Sequence, residues 1–291
     1  MPLSRDKLGL ILGLIGVTIF AGSLPATRIA VATLDPWFLT AARAAIAGVA
    51  SLLVLVALRR PLPPRATWLT LIAIAFALVL GFPILSALAM MSVPAAHGGV
   101  VLGILPLATS ATAVLLAGER PSLGFWLAGL VGTALVIAFA MRHGTGALAA
   151  GDLVLVAAIA AAAIGYTLSG RLTRTMPGWE VISWACLLSL PVSAVATYAL
   201  WPADIAVVPR EAWIALGFVG MFSQFIAFFA WNAGLAIGGI SRVGQVQLLQ
   251  TFMIVALAAL VNGETIDAET IVFAVAVVAT VMIGRRMPVR R

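Results

Sequence analysis

Gln224, Phe228, Trp231 and Asn232 recur at three- and four-residue intervals, so they share one face of a helix. Gln247, Gln250 and Thr251 form a second such face, with Gln245 pointing elsewhere. Carboxamides can hold both the carboxylate and the ammonium of a zwitterion, while Trp231 and Phe228 offer apolar and cation–π surface. The alternative is structural: Asn and Gln also bond across helices without touching a ligand. Three smaller sets are spaced the same way. Ser23 and Thr27 are four apart, Tyr166 and Ser169 three apart, and Phe82 and Ser86 four apart. Pro25, Pro83 and Pro106 can each break a helix and free carbonyls for a pore lining, or simply kink it.

The titratable groups offer less. All ten carboxylates fall near the ends of apolar runs or between them, so none is central. His97 is the one near-membrane candidate for a proton relay, and its competing reading is a local hydrogen bond near the outer end of its helix. In a membrane carrier this pattern would mean uncoupled or weakly coupled transport. Arg43 lies inside an apolar run with no carboxylate nearby in sequence. It is expected to snorkel outward, being about two turns from Pro36, with binding of a substrate carboxylate the lesser reading. His97 and His143 are far apart, and Cys186 is the only cysteine, which excludes an internal disulfide and a cysteine-based metal cluster. No catalytic set, metal site or cofactor is predicted.

These residues must be carried by membrane-spanning helices. The 291 residues are 63% hydrophobic and 9% charged, with a mean hydropathy of +1.16, against roughly 25% charged in a soluble fold. Apolar runs long enough to cross a bilayer recur throughout. The formal net charge is +7, yet the arginines flank apolar runs in ones and twos. That placement points to membrane orientation rather than nucleic-acid binding.

The chain is also written twice. Pro64-Arg65-Ala66-Thr67-Trp68 returns as Pro209-Arg210-Glu211-Ala212-Trp213, and Trp37, Gly22 and Arg28 are matched by Trp179, Gly165 and Arg171. Gly118-Glu119 is matched by Gly263-Glu264. The reading is an all-α integral membrane protein of ten helices, in repeats at 8–141 and 151–286 joined by a polar segment at 142–150. With five helices each, the second copy must start from the opposite side, giving two inverted repeats. Arg59, Arg60, Arg65, Arg120, Arg171, Arg174 and the C-terminal arginines then fall on the inner side, with both termini cytoplasmic. Trp37, Trp68, Trp126, Trp179, Trp201 and Trp213 read as an interface belt, whereas Trp184 and Trp231 lie deeper. Gly9, Gly13 and Gly16, like Gly124, Gly129 and Gly132, are spaced for close helix contact. Glu119 and Glu264 sit at turns, where capping or a local ion pair is expected.

Ten spans in two inverted halves resemble the drug/metabolite transporter superfamily, specifically its EamA-type members. The Gly22/Gly165 pair, the two Gly-Glu turns and the small-residue fifth and tenth spans carry the resemblance, over roughly residues 8–286. Within the family the chain is similar to bacterial exporters of aromatic and other amino acids. The resemblance implies an inner-membrane exporter of neutral amino acids or similar metabolites, working by alternating access, with substrate between spans 1, 3, 4, 6, 8 and 9. Its partners would be a small-molecule substrate and the bilayer, with no nucleic acid, as a monomer or homodimer. A multidrug efflux carrier is the first alternative, and a membrane-embedded lipid-modifying enzyme the alternative of another class.

Overall fold

The computed structural model describes residues 5–117, 120–143, 150–238, 243–244, 246–285 and 289–290, and these are almost entirely helical. Apolar runs fold this way because a helix satisfies its backbone N–H and C=O groups internally where water is absent. Among the described residues, seven helical stretches are long and apolar enough to cross a bilayer: Lys7–Val31, Pro36–Ala57, Arg65–Met90, Ala95–Leu116, Ala150–Leu172, Gly178–Ala199 and Arg210–Gly238. Shorter apolar stretches cover Trp126–Leu135, Leu249–Asn262 and Ala268–Thr280. Leu53, Val56, Leu69, Phe76, Val192 and Val195 stand exposed, the apolar outer surface that lipid would cover.

The first half holds α1 (Arg5–Ala21), α2 (Ser23–Val31), α3 (Pro36–Ala57), α4 (Trp68–Ile74), α5 (Phe82–Met90), α6 (Ala95–Leu102), α7 (Leu105–Ala117) and α8 (Leu123–His143). The second holds α9 (Ala150–Leu172), α10 (Gly178–Ala199), α11 (Arg210–Gly217), α12 (Ala227–Gly238), α13 (Gln247–Asn262) and α14 (Ala268–Arg285). The joint at 144–149 and the Gly118-Glu119 turn lie outside the described residues, as does Gln245.

Each proline flagged above marks an interruption. The α1–α2 break falls at Gly22, ahead of Pro25, and the α6–α7 break at Gly103–Ile104, ahead of Pro106. Between α4 and α5, Ala75–Gly81 winds as a wider π-helix ahead of Pro83. The missing proline N–H leaves an upstream carbonyl without its usual donor, which is why the ladder loosens there. A side chain at Gly81 would sit 2.6 Å from the Phe76 carbonyl oxygen, so the wider turn requires glycine. Phe218–Ile226, between α11 and α12, is also a π-helix, at the matching place in the second half.

The packing pairs map onto one another when the halves are exchanged. α3 lies along its counterpart α10, and α8 along α14. α1 packs on α12, while α9, the counterpart of α1, packs on α5, the counterpart of α12. α9 also packs on α7, as α1 does on α13. The Gly22/Gly165 pair obeys the same rule. Built-on Cβ atoms would lie 2.7 Å from Phe218 and 2.3 Å from Leu78, so each glycine seats the π-helix of the other half.

Polar ties close the ends. Asp35 accepts from the N–H groups of Trp37 (2.8 Å) and Phe38 (3.0 Å) and caps α3. Arg28 donates to the Met90 carbonyl at the end of α5. Arg60 pairs with Glu180 and lies 5.6 Å over the Trp179 ring. Glu264 accepts from the N–H groups of Ala95 (2.8 Å) and Ala96 (2.9 Å), so it caps α6 from across the bundle. Arg120–Pro121 and Val289–Arg290 pair as a short antiparallel bridge, which brings the α7–α8 turn and the C-terminal segment to the same end.

Candidate functional site

The helix interruptions described above converge on one cavity. The α1–α2 break contributes Phe20, Ser23 and Leu24, the π-helix before α5 contributes Leu78 and Phe82, and the α6–α7 break contributes Leu102 and Leu105. The second π-helix and α12 add Ser223, Gln224 and Phe228. Arg43 of α3, Tyr166 of α9 and Gln250 of α13 complete the wall. The space open to a water-sized sphere is about 20 Å³, room for one water. A metabolite therefore requires the walls to separate.

The wall is polar where the halves meet. Ser223 donates to Ser23 Oγ at 3.1 Å, and Gln224 Nε2 donates to the Leu78 carbonyl at 3.2 Å. One side is aromatic. The Phe20 and Phe228 rings meet edge-on with centroids 4.9 Å apart, and Tyr166 lies 6.1 Å from Phe228. Two polar groups of the lining lack partners: Gln250 Oε1 and Arg43 Nε are both buried without a hydrogen bond.

Arg43 is the main correction to the expected picture. It does not snorkel outward, because only 3% of the residue is exposed. The helix is turned so that this position faces the bundle interior, with Tyr166 and Cys186 as its titratable neighbours. A buried ion without a counter-charge costs several kcal/mol, so its presence calls for an explanation.

Of the predicted lining residues, Ser23, Phe82, Tyr166, Gln224, Phe228 and Gln250 are brought together here. The others occupy different places among the described residues. Ser86 bonds back to the Pro83 carbonyl of its own helix at 3.0 Å. Ser169 donates to Asn232 Oδ1 at 3.0 Å, and Asn232 Nδ2 donates to the Gly178 carbonyl at 2.9 Å, which ties α9, α10 and α12 together. Trp231 packs behind the wall, 5.6 Å from the Tyr166 ring, with its indole N–H unpartnered. Thr27, Gln247 and Thr251 are buried outside the lining, and neither amide atom of Gln247 has a partner. His97 sits 2.8 Å from Asp152 Oδ1, an ion-pair geometry joining α6 to α9, with its ring 4.8 Å from that of Phe139. Trp184 is buried in the core with its N–H unpartnered.

Ser223 and Phe20 were not anticipated. The π-helix explains Ser223: its wider turn brings Ser223 round beside Gln224 at the cavity, while Trp231 and Asn232 stay on the Phe228 face of α12 but lie a turn farther along it. Asn232 is thus a tie rather than a wall. Asn232→Leu removes both of its bonds and leaves the buried Ser169 hydroxyl without its acceptor, a loss of roughly 2 kcal/mol. The purified protein is expected to melt about 5 °C lower, with the transport KM unchanged. A changed KM at unchanged melting temperature would place Asn232 at the substrate instead.

A bundle of apolar helices, interrupted where they enclose a partly polar cavity, is the build of a membrane carrier. The chain matches the EamA-like transporter family over residues 7–141 and 149–284 and belongs to it. It is a multi-pass membrane transporter of the drug/metabolite superfamily. A protein of Bacillus subtilis (strain 168), described as the uncharacterized transporter YdeK, is 42% identical over 284 residues, covering 98% of this chain and 99% of that one. A crystal structure of a protein 20% identical to this chain shares the fold, with a TM-score of 0.69 over 97% of this chain and 99% of the other.

Proposed function

We propose that this transporter exports neutral amino acids, aromatic ones included, or similar small amphipathic metabolites across the bacterial inner membrane. It does so by alternating access of two inverted five-helix halves, 8–141 and 151–286, that cross the membrane ten times with both termini cytoplasmic. The observation that carries this reading is the cavity: both halves line it, its polar and aromatic walls suit an amphipathic solute, and the α1–α2 break, the α6–α7 break and the two π-helices all contribute to it. The exchange-symmetric packing supports two halves related by a two-fold axis, so that rocking one against the other exposes the same cavity to either side. The bridge between Arg120–Pro121 and Val289–Arg290 supports an inner side rich in arginine at the C-terminal end.

Transport is proposed to be uncoupled. His97 and Asp152 hold each other away from the cavity lining, and the lining contains no carboxylate among the described residues. The experiment is uptake of labelled Trp, Phe, Leu, Thr and Lys into proteoliposomes, with and without a pH gradient. Saturable uptake of the neutral amino acids that ignores the gradient is the expected result. Gradient-dependent uptake would overturn the uncoupled reading and direct attention to the His97–Asp152 pair. Uptake of none of them by folded protein would shift the reading to efflux of other lipophilic metabolites or drugs.

A further inference from the structure

We propose that Arg43 anchors a carboxylate of the transported solute, so that a negatively charged group is required of the cargo and lipophilic cations are rejected. This rests on the reading above that the cavity is the transport site. Three observations carry it. Arg43 lines the cavity while almost wholly buried, and its Nε has no partner. Its titratable neighbours, Tyr166 and Cys186, are not carboxylates, and the carboxylates whose side chains are described are engaged or exposed elsewhere. Asp35, Asp204 and Asp267 accept from backbone N–H groups of their own turns. Glu264 caps α6, while Asp152, Glu180 and Glu269 pair with His97, Arg60 and Arg142. Glu211 is exposed. The same cavity wall carries neutral groups that would complete a binding site: Tyr166, Gln224 and the unpartnered Gln250 Oε1.

An ionised side chain at membrane depth without a protein counter-ion marks a site for a ligand that supplies the charge. Guanidinium matches the planar, two-oxygen geometry of a carboxylate, which it binds in bidentate fashion. Gln250 Oε1 can accept from the ammonium of an amino acid so held, and Phe20 and Phe228 can receive its side chain.

The test uses full-length protein in proteoliposomes with four probes: phenylalanine, phenylalaninamide, phenethylamine and 3-phenylpropionate. Each is offered to the wild type and to Arg43→Met, Arg43→Gln and Arg43→Lys. The wild type is expected to move the two acids at least about tenfold faster than the amide and the amine, the scale of one charge-assisted hydrogen bond. Arg43→Met and Arg43→Gln should remove that preference, and Arg43→Lys should retain part of it. Melting of the purified variants separates binding from folding. Removing an unpaired buried charge leaves Arg43→Met at least as stable as the wild type, and the acids should raise the melting temperature of the wild type alone.

Equal movement of phenylalanine and its amide by the wild type overturns the anchor while leaving amino-acid export standing. Movement of 3-phenylpropionate but not phenylalanine, lost in Arg43→Met, keeps the anchor and rejects amino-acid export. A marked fall in the melting temperature of Arg43→Met would assign the arginine to the fold and overturn the anchor. If the wild type moves none of the four, absence of any Arg43-dependent melting shift with the acids overturns it as well.

Discussion

Oxidation is expected to switch off a variant carrying Ser23→Cys and Ser223→Cys, and reduction to restore it. The two hydroxyls meet at 3.1 Å across the cavity, one from the first half and one from the second. Cysteines there fall within reach of the 2.0 Å sulfur–sulfur bond, which tolerates Cβ separations of about 3.5–4.5 Å. The cavity holds about 20 Å³ in this conformation, too little for an amino acid. Any route for a metabolite must therefore part its walls. A covalent link across the gap removes the open states from the ensemble and leaves only the closed one. The single variants serve as controls, because the chain's one natural cysteine, Cys186, is buried and should not react. Uptake that persists when the protein is fully cross-linked would sink the alternating-access reading. The halves would then not separate at this point during transport.

Much of this site could be read from residue spacing, and its failures have physical causes. Helical periodicity placed Gln224 and Phe228 on one face, and both line the cavity. It extended the same face to Trp231 and Asn232, which do share it with Phe228 in α12 but lie a turn beyond the cavity, and periodicity along one helix does not say where along the axis a site ends. Arg43 was misjudged for a different reason. Its distance from the helix end allowed an outward reach, but the rotation of α3 about its own axis is set by packing on α10, which spacing along one helix does not contain. The signal that was there is compositional. Arg43 is surrounded by Ala41, Ala42, Ala44, Ala45 and Ala47, small residues that mark a packed helix face rather than a lipid-facing one. His97 is a third case. Its partner Asp152 is 55 positions away on the other half, so only the tertiary fold could join them. By contrast, Pro25, Pro83 and Pro106 were legible as interruptions because the missing N–H acts locally, although Pro191 lies inside the unbroken α10.

Gly234→Ala should destabilise the protein while Gly217→Ala stabilises it, although the chemical change is the same. In an isolated helix both replacements are favourable, by about 1 kcal/mol, because alanine limits the freedom of the unfolded backbone. The surroundings decide the outcome. An added Cβ at Gly217 meets nothing within 4 Å, so the intrinsic gain survives. At Gly234 it would lie 2.8 Å from the backbone nitrogen of Gly13 and 2.9 Å from the carbonyl oxygen of Gly9. Backbone atoms cannot rotate away as a side-chain tip can, so α1 and α12 must move apart. Overpacking of this kind costs about 1–3 kcal/mol, and Gly234→Leu should cost more still. Without water to drive helices together, close backbone approach between small residues is a main source of attraction between them. The effect reaches the cavity as well. α1 and the break that follows it carry Phe20 and Ser23, and α12 carries Phe228, so a wedge between these helices separates two of its walls. Thermal melts of the purified variants should therefore rank Gly217→Ala above the wild type, then Gly234→Ala, then Gly234→Leu roughly 10 °C below the wild type. Equal stability of the two alanine variants would mean that α1 and α12 do not meet backbone to backbone, and that the glycines at 9, 13, 234 and 238 are spaced without being packed.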